Sequence, residues 1–424
     1  MRKLSSKTIL SFALCWLVLG CSAWSRAQQP MVEPFLMTGK LNEGKLALEA
    51  QLVANPDDDQ ARFGLGVLRF MQSAEHLGQS WYKYGISDDV NQIPFFRFPA
   101  PDNPNPEQIT YQDFRAVLQT MIGHLDEADR LLGEIKSTDV KLPLHLFQFH
   151  FDFDRNGMLT PEEDLNEVYE DYFEGNFAAN VKNLDEVVVV FDYADAQWLR
   201  GYSHLIRATA EIILAHDEEP LWDIIAPRIF ANPQFRFNFM EEEYLESRKN
   251  KDNQRFIWND QNAILDAIAA IHNLNFKLIE PERMKRAHQH LKQTVVLSRQ
   301  MWEAVKAETD NDREWIPNPN QSSVVSLTKI TEEMTKTWDE FLNEVDAILD
   351  GKKLLPFWRG TNAKRGVNLH KVFYEPQDLD VILWVHGSAV VPFLEEGDVT
   401  ETGTWTQFQR VFGGQFFSFA AWFN

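Results

Sequence analysis

The stretch Asp152-Phe153-Asp154-Arg155-Asn156-Gly157-Met158-Leu159-Thr160-Pro161-Glu162-Glu163 decides how the middle of this 424-residue chain folds. Its polar side chains at alternate positions, Asp152, Asp154 and Asn156, can converge on one point within a turn. Gly157 permits a sharp backbone reversal, because glycine adopts positive φ at no steric cost. Glu163 then returns towards the same point from the other end of the stretch. The spacing therefore predicts a loop whose oxygen atoms face a common centre.

A loop of this kind offers the ligands that Ca²⁺ requires, which are about six to eight oxygen atoms at ~2.3–2.6 Å. We therefore predict Ca²⁺ as the cofactor of this chain. Thr160 would add its hydroxyl group or hold a water molecule on the ion. The predicted ligands are side-chain oxygens and one backbone carbonyl, from Asp152, Asp154, Asn156, the carbonyl of Met158, and Glu163.

An alternative interpretation of the same stretch is a polar turn before a helix. Thr160 and Pro161 suit a helix start, since proline is favoured at the first helical position. Such a turn explains the helix start, but it does not explain why two aspartates, an asparagine and a glycine stand in register with Glu163. The register favours a calcium site.

The twelve residues resemble the calcium loop of EF-hand proteins, and the resemblance covers only the loop and the helix that follows it. It implies a role for Leu159 as the apolar residue that fixes the loop to neighbouring structure. Asp164 departs from the family, which has an apolar residue after the last ligand. EF-hands usually work as pairs and this chain has one such loop, so the resemblance implies a structural role rather than a sensor.

The approach to the loop differs from an EF-hand's entering helix. Apolar residues alternate with period two, which predicts a strand leading into the loop. They are Leu144, Leu146, Phe149, Phe151 and Phe153. The sequence therefore favours a strand–loop–helix site over a full helix–loop–helix, with residues 162–173 as the exiting helix.

Residues 1–27 form a predicted export signal, with a cationic start and an apolar run from Ile9 to Gly20 that is too short for a membrane span. Two cleavage sites compete. Val18-Leu19-Gly20-Cys21 resembles a bacterial lipobox, which would leave a lipid on Cys21, whereas Ser25-Arg26-Ala27 suits ordinary signal cleavage. An uncleaved signal anchor is the third alternative. We expect an exported protein that is periplasmic, an outer-membrane lipoprotein or secreted, and that touches a membrane only through the lipid.

Composition limits the partners of the chain. The net charge is −22 at pH 7, and it becomes more negative when the cationic signal is removed. An acidic surface repels phosphate backbones, which excludes nucleic acid as a partner. Both cysteines, Cys15 and Cys21, lie in the signal, so the mature chain has no disulfide and no thiolate metal site.

Helical periodicity dominates the rest of the chain, which predicts a mainly α fold with a small β element near the C-terminus. Residues 31–135 form an N-terminal helical region, 139–174 the calcium site, 175–350 a further helical region and 351–424 an aromatic-rich C-terminal region. Leu41, Lys45, Leu48 and Leu52, followed by Asn55-Pro56, resemble the second helix of a tetratricopeptide repeat. That resemblance implies a protein partner for the N-terminal helices, while an ordinary helical hairpin is the alternative.

Four further helices follow from apolar spacing. They are expected from Ala194 to His216, from Ile257 to Ile279, from Arg283 to Val305 and from Thr331 to Leu349. Near the C-terminus, Val367 to Phe373 and Val381 to Val385 predict short strands, with a helix as the alternative for the second. The aromatic residues from Trp405 to Trp422 recur at helical spacing and are expected to pack in the core rather than face a membrane.

The sequence contains none of the common enzyme signatures. Asp192, Asp195 and His204 could form a metal or acid–base cluster, but helix capping and core packing are the favoured roles. His288 and His290 are two residues apart, which places them on different helix faces. We predict structural calcium binding, with a helical-repeat scaffold for an exported partner, or an exported enzyme of unrecognised type, as alternatives.

Overall fold

The computed structural model describes residues 29–86, 101–165, 186–235, 261–324, 329–414, 416 and 419–420. These residues form a mainly helical protein, as predicted. The predicted export signal, residues 1–27, and most of the predicted exiting helix, from residue 166, lie outside them. The helices are α1 Glu33–Leu36, α2 Leu41–Ala54, α3 Asp59–Tyr84, α4 Tyr111–Gly133, α5 Tyr193–Ala215, α6 Glu219–Ile229, α7 Gln261–His272, α8 Pro281–Ala307, α9 Glu332–Leu349, α10 Leu369–Tyr374, α11 Val381–His386 and α12 Thr402–Val411.

Short antiparallel strands connect the helices. They are β1 Leu142–Leu144, β2 Val189–Phe191, β3 His216–Asp217, β4 Asn275–Leu278, β5 Leu355–Pro356, β6 Arg365–Val367, β7 Leu379–Asp380 and β8 Leu394–Glu396. Strands β1 and β2 pair with each other, β4 lies between β3 and β7, and β6 lies between β5 and β8. The last of these sheets is the predicted β element near the C-terminus.

Long helices form the body of the molecule. Helix α5 packs along α8, and α4 packs between α3 and α5. Helix α5 begins where predicted because Asp192 accepts hydrogen bonds from the N–H groups of Ala194 and Asp195, while Asp195 accepts one from the N–H of Asp192. This capping box satisfies N–H groups that a helix start leaves without intrahelical partners. The prediction that these two carboxylates cap the helix is confirmed.

Three apolar clusters fill the spaces between these helices. The first lies between α2, α3 and the segment before the predicted calcium loop, and includes Phe149, Phe151 and Phe153. The second lies between the end of α3, α4 and α6. The third joins α8 and α9 to the C-terminal aromatic residues and contains Phe408, Phe412, Phe416 and Phe419. Core packing of the C-terminal aromatics, which the sequence predicted, is confirmed for these four.

One predicted helix is wrong in part. The helix expected from Ile257 to Ile279 ends at His272, and Asn275–Leu278 is instead a strand that pairs with β3 and β7. Exposure alternates along that strand, because Phe276 is buried between two exposed neighbours. This period-two pattern is typical of a strand, but it is too short to stand out beside the longer helical pattern.

In the C-terminal region the strand expected from Val367 to Phe373 stops at Val367, because Asn368 caps α10 by accepting the N–H of Lys371. Val381 to Val385 takes the helical alternative, with Asp380 as its cap. None of the helices within the described ranges combines the length and the apolar character needed to cross a membrane.

Candidate metal centre

The predicted calcium loop is entered by extended chain rather than by a helix. Strand β1 ends at Leu144, a single 3₁₀ turn covers Leu146–Gln148, and the chain then runs extended to the loop. The strand predicted from Leu144 to Phe153 is therefore wrong in its length. Its period-two alternation is nevertheless real, because Phe149, Phe151 and Phe153 are all buried while the residues between them are partly exposed.

Backbone hydrogen bonds close the base of the loop. The N–H of Phe151 donates to the carbonyl of Glu163 at 2.9 Å, and the N–H of Leu165 donates to the carbonyl of Phe149 at 2.8 Å. These two bonds pair the entering chain with the residues that leave the loop. They hold the first and last predicted ligands near each other without an entering helix.

Packing against α3 holds the start of the loop in place. Phe151 and Phe153 stack with ring centroids 5.0 Å apart, and the ring of Phe153 lies directly against Gly78. A Cβ atom at Gly78 would fall well within 3.0 Å of that ring, so only glycine allows this approach. The start of the loop therefore packs directly against α3.

The acidic side chains converge as the sequence predicted. Carboxylate oxygens of Asp152, Asp154 and Glu163 all lie within 4.8 Å of one another. Glu163 is fully buried, and its Oε1 accepts hydrogen bonds from the N–H groups of Phe153 at 2.7 Å and Asp154 at 3.4 Å. Its Oε2 accepts the hydroxyl of Thr160 at 3.0 Å. Because each carboxylate oxygen has two lone pairs, Oε2 keeps one lone pair for a cation, whereas Oε1 already accepts two hydrogen bonds.

The turn itself has the backbone that the sequence predicted. Gly157 has φ +69°, and its N–H donates to Oδ1 of Asp152 at 3.2 Å. Asn156 donates from Nδ2 to Oδ2 of Asp154 at 2.6 Å, and its Oδ1 accepts the N–H of Met158. Arg155 also has positive φ, at 60°, which is uncommon for a residue with a side chain. The first half of the loop is thus wound tightly around the acidic side chains.

Charge in the loop is not balanced by nearby cations. Among the described residues, no Lys, Arg or His forms an ion pair with Asp152, Asp154 or Glu163. Burial raises the pKa of Glu163, and the charge of Asp154 raises it further, while hydrogen bonds from Thr160 and the backbone oppose that rise. Three close carboxylates with hard oxygen donors are the donor set that suits Ca²⁺.

Two α3 side chains form a second layer behind the loop. Oε1 of Glu75 accepts the N–H of Asp152 at 3.2 Å, and Nε2 of Gln79 donates to the Asp152 carbonyl at 2.9 Å. Burial raises the pKa of Glu75 to about 8. Outer hydrogen bonds of this kind orient metal ligands. Spacing within the loop gives no indication of this layer, because its residues lie more than 70 positions earlier in the chain.

The expectation for Leu159 is wrong. Its side chain is 50% exposed, and that of Met158 is 63% exposed, so neither fixes the loop to the described residues. The phenylalanines before and within the loop take over that role, because they reach the core between α2 and α3. Exposure of Met158 leaves its predicted contribution, a backbone carbonyl, unaffected.

A second group of acidic side chains comes together elsewhere. Carboxylate oxygens of Asp192, Glu308 and Glu314 also lie within 4.8 Å of one another. Burial raises the pKa of Glu308 to about 8, and the neighbouring Asp192 carboxylate adds to the rise. Nζ of Lys141 lies 3.8 Å from Oδ2 of Asp192. The negative charge of this group is therefore reduced in two ways, by the nearby Lys141 and by a proton on Glu308. Sequence spacing gives no indication of this group, because Asp192 lies more than 110 residues before Glu308 and Glu314.

The histidines that the sequence singled out lie apart from both acidic groups. Nε2 of His204 is 3.1 Å from Oδ2 of Asp129, and its Nδ1 is 2.8 Å from Nδ1 of His290. Nε2 of His288 instead lies 2.9 Å from the carbonyl of Leu349, which confirms that His288 and His290 face different ways. His204 does not join Asp192 and Asp195, which act as the cap of α5.

Comparison of the chain with protein-family models, with curated proteins and with solved structures finds no match.

Proposed function

We propose that residues 152–163 bind one Ca²⁺ ion and that the ion has a structural role. Asp152, Asp154 and Asn156 would supply side-chain oxygens, Met158 its carbonyl, and Glu163 its carboxylate. The observation that carries the proposal is the convergence of the carboxylates of Asp152, Asp154 and Glu163 without an ion-pair partner among the described residues. A bound divalent cation would offset the repulsion between them.

The structural role follows from where the loop is held. Backbone hydrogen bonds join the entering chain to the exit of the loop, and Phe153 packs on α3, so the ion would tie the exit of the loop to the N-terminal helices. At ~1 mM Ca²⁺ and a dissociation constant of ~0.1 mM, in the range of extracellular modules, binding would stabilise the fold by about 1.4 kcal/mol. A site of this strength suits a compartment rich in calcium.

Export of the chain is the companion proposal. The cationic start and short apolar run of residues 1–20 support a signal peptide, and Gly20-Cys21 supports lipid attachment at Cys21. A protein partner for the helices Leu41–Ala54 and Asp59–Tyr84 remains the alternative that the tetratricopeptide resemblance suggests.

Thermal unfolding in the presence of calcium and of chelator tests the calcium proposal. Calcium should raise the melting temperature of the wild-type protein, and the rise should be lost in Asp152→Ala and Glu163→Gln. Glu162→Gln is the matched control, because Glu162 is exposed and is not among the converging carboxylates. It removes the same charge from the adjacent position and should keep the response.

An equal response to calcium in Glu163→Gln and Glu162→Gln would place the ion elsewhere. A wild-type protein that neither responds to calcium nor retains it on dialysis would refute the proposal. Because Gln at position 163 keeps an oxygen that can accept the backbone N–H groups, a loss of response there reports the lost charge rather than a lost fold.

A further inference from the structure

Helix α7 turns its apolar side chains towards solvent. Residues three and four positions apart lie on the same side of a helix, and an apolar stripe with this spacing normally packs against the core. On α7 the stripe is instead between 49% and 62% exposed. It consists of Ile264, Leu265, Ile268 and Ile271.

The opposite side of α7 attaches the helix to the rest of the protein. Helix α7 packs against α6, and Asp266 forms an ion pair with Arg228 of that helix. Asp266 lies about half a turn away from Ile268 around the helix axis, because successive residues are rotated by about 100°. The contact with α6 therefore leaves the aliphatic stripe facing outward.

A second exposed helix continues this surface. The N–H of Val381, the first residue of α11, donates at 2.9 Å to the carbonyl of Leu274, which lies just after the end of α7. The side chain of Trp384 in α11 packs on the buried Phe393, with ring centroids 6.0 Å apart. The other side of α11 faces solvent and carries Ile382, Leu383 and Val385, which are 45%, 45% and 74% exposed. We call the exposed aliphatic residues of α7 and α11 the apolar face.

The apolar face has the area that a specific protein interface needs. A free Ile, Leu or Val residue has an accessible area of roughly 150–180 Å², so the half-exposed residues of the face together present roughly 600–700 Å² of surface. Each partner in a specific complex buries about 600–1,000 Å². The largest apolar patch on a typical monomer covers about 300–600 Å². The apolar face is therefore large enough to form an interface.

Charge and spacing favour a second copy of this chain as the partner. Helices α7 and α11 contain no Lys or Arg, and the chain has a net charge of −22, so an anionic lipid surface would repel it. The apolar face itself bears no charge that a two-fold axis would place opposite the same charge. Ile264, Ile268 and Ile271 follow the spacing of four and three residues that lets two helices pack side chains into each other's gaps. A second copy supplies the same spacing.

We infer that two copies of this chain associate about a two-fold axis through the apolar face. Helix α7 of one copy packs on α7 of the other, and the exposed residues of α11 extend the contact. Each copy thereby buries aliphatic surface that the described part of a single chain leaves in water, which is the driving force for association. The apolar face shares no residue with the loop 152–163, so the dimer forms with or without calcium.

Sedimentation equilibrium of the purified protein, in calcium and in chelator, tests the inference. Ile268→Lys places a charge in the middle of the stripe on α7, and Val385→Lys places one on α11. Leu46→Lys is the matched control, because it makes a similar change at an exposed aliphatic residue of α2, outside the apolar face. Circular dichroism and the melting temperature establish that each variant keeps its fold. Val385→Lys keeps the inference testable if Ile268→Lys does not fold.

We expect a dimer with a dissociation constant of ~10 μM or lower, equal in calcium and in chelator. The constant should rise at least about a hundredfold in Ile268→Lys, because the two-fold axis places the substitution in the interface twice. It should rise at least about tenfold in Val385→Lys and stay within about twofold in Leu46→Lys.

A protein that is still monomeric at ~100 μM would overturn the inference. A dimer that Ile268→Lys and Val385→Lys leave unchanged would overturn its assignment to the apolar face. Neutral phosphatidylcholine vesicles provide the last comparison. If the wild type is monomeric and binds these vesicles, and Ile268→Lys does not, the face contacts lipid and the dimer is refuted.

Discussion

The contact between Gly78 and Phe153 predicts that the proposed calcium loop depends on its packing against α3. Phe153 is fully buried, and its ring stacks on Phe151, so it cannot move away easily from an added atom. A methyl group at position 78 would fall well within 3.0 Å of the ring, and the ring or the helix must therefore shift. Gly78→Ala should strain both the core and the first half of the loop.

The size of the effect follows from two opposing contributions. Over-packing a well-filled core costs about 1–3 kcal/mol. Replacing glycine by alanine inside a helix returns about 0.5–1 kcal/mol through helix propensity. We expect Gly78→Ala to lower the free energy of unfolding by about 1–2 kcal/mol. Because Phe153 lies between Asp152 and Asp154, we also expect weaker calcium binding.

Urea denaturation, with and without excess calcium, measures this effect. Gly123→Ala is the matched control, since Gly123 lies in the middle of α4 and an added Cβ there meets no atom within 4 Å. It should raise the free energy of unfolding by about 0.5–1 kcal/mol through propensity alone. If Gly78→Ala stabilises the protein as much as Gly123→Ala, the account of how the loop rests on α3 is wrong.

Three other predictions follow from buried charge and from exposure. Asp129 accepts hydrogen bonds from Arg200, Arg207 and His204, which hold its pKa well below the usual value despite burial. Asp129→Asn should therefore lower the free energy of unfolding, measured by urea denaturation, by about 2–3 kcal/mol. Burial raises the pKa of Glu308 to about 8. The stability that this group contributes to the fold is therefore complete below its unfolded pKa near 4.5 and is lost as pH rises through 8. Glu308→Gln should flatten the resulting fall in the free energy of unfolding between pH 5 and 8, by up to ~1.4 kcal/mol per pH unit. If the pH profile of stability is the same in that variant as in the wild type, Glu308 does not hold the proton assigned to it. Leu159→Ser should change stability by less than about 0.5 kcal/mol, because the side chain is half exposed.

Much of this fold follows from local sequence signals. Helices with strong apolar periodicity and a capping residue, such as the one that begins after Asp192, appear where the sequence predicts them. The turn at 152–163 also follows from local sequence, because its polar residues are contiguous and Gly157 takes the positive φ that the pattern predicts.

The errors have physical causes. Strand β4 follows a stretch with helical periodicity, and its place in a sheet depends on β3 and β7, which lie about 60 and 100 residues away, so local sequence predicts helix there. Leu159 was expected to anchor the loop, but the phenylalanines of the entering chain already occupy the core. The cluster of Asp192, Glu308 and Glu314 and the second layer formed by Glu75 and Gln79 both arise from residues that only tertiary packing brings together.

Calorimetric titration of the metal-free protein with Ca²⁺ is the most direct test of the central claim. We predict one ion per chain for the wild type and for Glu162→Gln, with a dissociation constant of ~0.1 mM or lower, and no binding in that range for Glu163→Gln. Binding of one ion by wild type and Glu163→Gln with equal affinity, or no binding by the wild type at all, would contradict the account.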